Sequence, residues 1–125
     1  MRLVAATVFV DIEDVTRIRE WLAVDGVEVI PTAALEDAVQ TLAAAILFDA
    51  DGRPDWAIAL QQLVEMRPAA RVIVLARNAD NRMWAEVISL GAWDLLLKPL
   101  VALEVRPAMY SALQITMPVP VRAAA

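Results

Sequence analysis

The chain has neither cysteine nor histidine, and this double absence removes disulfides, zinc–thiolate sites, thiol or imidazole nucleophiles and histidine general bases. Any chemistry must rest on carboxylates, lysine or hydroxyls. Glycine is almost as scarce: Gly26, Gly52 and Gly91 stand far apart, so no Gly-rich loop is available to cradle a nucleotide phosphate. No apolar run approaches the ~20 residues that span a bilayer, so no membrane association is expected. Positive charge is also short. Eleven Lys and Arg against 16 Asp and Glu leave a net charge of −5, which argues against binding a nucleic-acid backbone. The apolar start, Met1 to Val10, runs into acids without the charged leader and cleavage segment of a signal peptide, and a cytoplasmic protein is expected.

What the chain holds in excess is apolar surface. Hydrophobic residues make up 60% of its 125 residues and the mean hydropathy is +0.56. That is enough for one domain with an ordinary core, and the surplus fits strands covered on both faces. Leu3 to Val10 reads as a central buried strand. The acids Asp11, Glu13 and Asp14 then cap and charge-match a helix carrying Val15, Ile18 and Leu22, ended by Gly26. Val27 to Ile30 is a second strand closed by Pro31. Leu35, Ala38, Val39 and Leu42 repeat at helical spacing, and Ala43 to Phe48 is a third strand ending at Asp49. A turn-rich loop from Asp49 to Pro54 leads to a helix with Trp56, Ala59, Leu60 and Leu63 on one face. Val72 to Leu75 is the fourth strand, followed by a helix carrying Met83, Trp84, Val87 and Ile88.

The stretch from Gly91 to Pro99 organises the rest. Gly91 is placed to end the fourth helix in the left-handed conformation; Trp93 to Leu97 form a short strand, and Pro99, lacking an N–H, ends its ladder. Lys98 is thereby fixed at a strand end. Leu103 to Leu113 predict a fifth helix, either kinked at Pro107 or, as favoured, beginning there with Pro107 as its first residue. Residues 1–115 make the domain; residues 116–125 read as an extended tail, a truncated linker with a cloning remnant at Ala123 to Ala125.

Five strands alternating with five helices imply a doubly wound α/β fold, a five-stranded parallel sheet of order 2-1-3-4-5. Its switch point then gathers the residues at the strand carboxyl ends: Asp11, Asp49, Ala76 and Lys98. Paired carboxylates can hold a hydrated Mg²⁺ ion, and an ammonium beside them can neutralise a phosphoryl group. Each acid also has the plainer reading of a helix cap or strand-end residue.

The run Gly91-Ala92-Trp93-Asp94-Leu95-Leu96-Leu97-Lys98-Pro99 resembles the last-strand signature of response-regulator receiver domains, and a weaker resemblance extends from about Thr7 to Leu113. The resemblance implies a flavodoxin-like signalling module rather than an enzyme. Asp49 would accept phosphate from a histidine kinase or phosphotransfer protein, Lys98 would be its counter-ion, and Asp11 with Asp49 would bind Mg²⁺. The sequence also departs from the pattern. The usual acidic pair appears as Asp11-Ile12 unless Glu13 or Asp14 reaches round, Ala76 replaces a Thr or Ser, and Leu95 replaces the switch aromatic. The expectation is therefore an atypical receiver in a phosphorelay. The alternative is a phosphorylation-independent pseudo-receiver that dimerises or binds a partner through the fourth helix, fifth strand and fifth helix, using exposed members of Met83, Trp84, Trp93, Met109 and Tyr110.

Overall fold

The computed structural model describes residues 3–115; the tail expected over residues 116–125 lies outside them. The elements alternate as expected: β1 (Leu3–Val8), α1 (Ile12–Ala23), β2 (Val27–Thr32), α2 (Leu35–Gln40), β3 (Ala45–Asp49), α3 (Trp56–Met66), β4 (Arg71–Ala76), α4 (Asn81–Ser89), β5 (Asp94–Leu97) and α5 (Ala102–Leu113). All neighbouring strands pair in parallel, in the order β2-β1-β3-β4-β5. This is the doubly wound sheet anticipated from the alternation.

The continuous apolar runs are explained by two cores, one on each face of the sheet. Ala6, Val8, Ile46, Phe48, Val72 and Val74 point to one side, where Leu60, Leu63 and Val87 of α3 and α4 cover them. Ala5, Leu47, Ile73 and Leu75 point to the other, against Ile18, Leu22, Val105 and Met109 of α1 and α5. Alternate residues serve opposite faces, so a strand buried on both sides shows no polar period.

The end of α4 follows the sequence expectation closely. Gly91 has φ 104°, its N–H donates to the Ile88 carbonyl and that of Ala92 to the Val87 carbonyl, which together form a Schellman motif. A Cβ on Gly91 would come within 2.9 Å of Val64 Cγ1, so glycine is needed for space as well as for φ.

Several boundaries differ from expectation: β3 and β5 start late, at Ala45 and Asp94, β4 extends one residue each way, to Arg71 and Ala76, and four other differences have a clear cause. β1 stops at Val8 rather than Val10, because Phe9 turns the chain away at φ 65°. β2 runs through Pro31 to Thr32. It is an edge strand, where a missing N–H costs little, and the Thr32 hydroxyl fastens it by donating to the Thr7 carbonyl at 2.7 Å. α2 ends at Gln40, leaving Leu42 exposed at φ 55°. α5 begins at Ala102, so Pro107 lies inside the helix instead of opening it. Pro107 is exposed, and so is Leu103, whose carbonyl loses its helical donor. Water can satisfy that carbonyl, while burial of Val105, Ala108 and Met109 holds the helix on the sheet.

Candidate functional site

Asp49 is the last residue of β3, the central strand, and is 3% exposed. Its burial follows from position: β1 and β4 flank it, and the Ala50 N–H continues the ladder by donating to the Leu75 carbonyl. Lys98 follows β5, where its N–H donates to the Ala76 carbonyl at 2.8 Å, and its peptide bond to Pro99 is cis. To reach β3 the lysine must pass the end of β4. Ala76, 1% exposed, presents only a methyl group there.

The lysine completes that reach. Nζ lies 2.7 Å from Asp49 Oδ2 and 2.9 Å from Asp51 Oδ2. Asp49 Oδ1 accepts the Asp51 N–H at 2.8 Å. Asp51 Oδ1 accepts the Arg77 N–H at 2.8 Å, and the Arg77 Nε sits 3.7 Å from Oδ2. Every carboxylate oxygen of the pair thus has a donor. Burial works against the charge on Lys98, but the hydrogen bonds and charges of Asp49 and Asp51 more than offset it and hold the ammonium above its ordinary value. Burial likewise pushes Asp51 up, and the Arg77 amide with Lys98 overcomes it, leaving the carboxyl below its ordinary value.

Asp49 and Lys98, anticipated from sequence, therefore meet. Asp11 does not join them: it is exposed at the start of α1, makes no side-chain cap, and has no ion pair or hydrogen bond to the cluster. Glu13 is exposed in the first turn of α1, and Asp14 pairs with Arg17 at 3.4 Å. The β1–β3 register pairs Val8 with Phe48, which brings Phe9 level with Asp49. Its ring packs edge-on to Phe48, centroids 5.9 Å apart, and the Arg53 guanidinium lies 3.2 Å over its centre. Ala76 and Leu95 are buried where expected.

Asp51 and Arg77 escaped the sequence reading. Asp51 was legible only as one turn former among several, although an Asp-x-Asp spacing at a strand end is a usable signal. Arg77 enters through its backbone amide, which no residue type announces. Among the described residues no group of three or more carboxylates is placed to hold a metal ion, and no helix is long and apolar enough to cross a membrane.

No family model and no curated sequence matches the chain. Solved structures do. A response regulator from Thermotoga maritima is 18% identical, with TM-score 0.82 over 91% of this chain and 99% of that one. The chemotaxis protein CheY4 of Vibrio cholerae is 14% identical, with TM-score 0.75 over 90% and 99%. A CheY-like protein, tadZ, from Pseudomonas aeruginosa PAO1 is 19% identical, with TM-score 0.72 over 89% and 99%. The chain has the fold of the response-regulator receiver domains, the flavodoxin-like architecture that the Gly91 to Pro99 stretch pointed to.

Proposed function

We propose that the chain is an atypical receiver module of signal transduction and that it works as a pseudo-receiver, binding a partner or a second copy without being phosphorylated. The observation that carries this reading is the residue level with Asp49 on β1: an aromatic ring with a guanidinium over it, where a metal-assisted phosphoacceptor needs an acid. A Mg²⁺ site built from Asp11 and Asp49 does not fit this arrangement. Asp11 is exposed outside the cluster, both oxygens of Asp49 are engaged, and the Arg53 cation lies over the ring at the β1 end. Ala76 adds to the case, since it has no hydroxyl for a phosphoryl oxygen.

The surface of α4, β5 and α5 supports docking in part. Trp84, Trp93 and Leu97 are 47%, 43% and 49% exposed, whereas Met109 and Tyr110 are buried and belong to the packing of α5. Tyr110 donates to Asp25, which also pairs with Arg106 at 3.3 Å, and so ties α5 to the turn before β2. Light scattering over a dilution series tests self-association through the exposed face, and Trp84→Glu should reduce it.

The second reading, phosphate acceptance at Asp49 from a histidine kinase or phosphotransfer protein, is favoured by one feature: a buried carboxylate 2.7 Å from a buried ammonium. Incubation with a small-molecule phosphodonor and Mg²⁺, followed by intact mass, decides between the two. No added phosphoryl group is expected. Labelling that disappears in Asp49→Asn would establish the second reading instead.

A further inference from the structure

Neither reading of the site uses Asp51, although donors from two strand ends meet on its carboxylate. Its two oxygens receive the Arg77 amide at 2.8 Å, Lys98 Nζ at 2.9 Å and the Arg77 Nε at 3.7 Å. Donors from the ends of β4 and β5 therefore converge on one carboxylate that belongs to neither strand. Convergent N–H groups beside an ammonium are what an oxyanion requires. Asp49 alone is enough to pair Lys98, so burial of the lysine does not explain why a second carboxylate is held here. The Asp51 side chain is 30% exposed, against 4% for Asp49. It lines an open cavity of about 460 Å³ shared with Ala50, Gly52, Arg53, Ala76 and Asn78, so solvent reaches the donors from that side.

We propose that Lys98 Nζ and the Arg77 amide form an oxyanion-binding site and that Asp51 occupies it as an internal ligand, closing it to inorganic phosphate and related anions. The inference rests on the pseudo-receiver reading, in which the site is never phosphorylated, and it assigns the reason: the groups that would hold the anion are already satisfied. An intramolecular carboxylate competes at high effective concentration and with little ordering cost, so an external anion at cellular levels loses. Removing Asp51 leaves Lys98 paired with Asp49, frees the Arg77 N–H and takes one negative charge from the cavity wall.

The test is a titration of the full chain with inorganic phosphate, followed by the Arg77 amide resonance in ¹H–¹⁵N spectra. Asp51→Ala should show a saturable shift at Arg77 with affinity at least about tenfold above wild type, the scale of one charge-assisted hydrogen bond regained. Asp51→Asn, which keeps the shape and a carbonyl acceptor for Arg77, should fall between the two and guards against a folding defect in the alanine variant. Equal titration of wild type and both variants would overturn the proposal. So would saturation that leaves Arg77 unmoved, because the phosphate would then be bound elsewhere. Reversible binding is read separately from covalent labelling. Phosphodonor labelling of the wild type would refute the pseudo-receiver reading, while the titration reports on Asp51 alone.

Discussion

The carboxyl edge of the sheet has two halves that treat charge in opposite ways. From β3 to β5 it buries ions: Asp49 is 3% and Lys98 8% exposed, and each is held by a partner of opposite sign. At β1 it buries an aromatic contact, Phe9 against Phe48, and keeps its cation, Arg53, on the ring's outer face. The first half depends on complete pairing, since desolvating an ion costs several kcal/mol and only close partners offset it. The second depends on contact area, and a partial loss there costs correspondingly little. One edge therefore combines an arrangement that breaks abruptly with one that degrades gradually.

Lys98→Met should expose that difference most strongly. It leaves Asp49 buried without its counter-charge, and the loss expected for an orphaned buried ion is about 3–5 kcal/mol in urea denaturation. A loss under about 1 kcal/mol would mean that the cluster is open enough for water to replace the lysine. On the β1 side, Phe9→Ala should cost only about 2 kcal/mol, from a half-buried ring and one cation–π contact. Phe9→Gly should be the milder change despite removing more atoms, because φ 65° is strained for alanine and free for glycine. If glycine proves worse than alanine, the ring and not the backbone governs this turn.

The same contrast marks how far the sequence could be read. The alternation of elements, the strand order and the Asp49–Lys98 meeting were legible because they follow from apolar runs, a helix-stopping glycine and a strand-ending proline. Phe9 reads as a strand residue, since nothing in a phenylalanine announces positive φ, and the two extra strand residues that result, Phe9 and Val10, carry Asp11 towards a site it does not reach. Pro107 favours a helix start over a kink when local preference alone is weighed. Tertiary burial of its neighbours overrode that preference, a term no local window contains. Asp51 and the Arg77 amide were hidden for a different reason. Their pairing spans 26 residues and becomes visible only when β3 and β4 lie side by side.

A smaller effect sharpens the contrast from the β1 side. The Thr7 hydroxyl, in a residue 1% exposed, has no hydrogen-bond partner, while the buried ions Asp49 and Lys98 are paired with each other. An unsatisfied buried hydroxyl is a net cost, so Thr7→Val should raise stability by about 1 kcal/mol, seen as a higher urea midpoint with an unchanged slope. A destabilised variant would show that the hydroxyl holds a water.

The smallest effect concerns pH, and its sign follows from the two shifts. Asp51 has its carboxyl lowered below 3.8 in the folded chain, so its contribution is complete above 3.8 and is lost as pH falls through the lower folded value. Lys98 is raised above 10.5, so its contribution is complete below 10.5 and is lost only as pH rises through the higher folded value. Between those limits neither of these two groups should make stability depend on pH. Comparing wild type with Asp51→Asn isolates the acid limb: the stability difference should stay constant from pH 5 to pH 9 and shrink below about pH 4, as the wild-type carboxyl also becomes neutral. The side chain is 30% exposed, so solvent screens it and the difference should be modest. A difference that already changes near pH 6 would place Asp51 among unpaired, buried carboxyls and would remove the donors from around it.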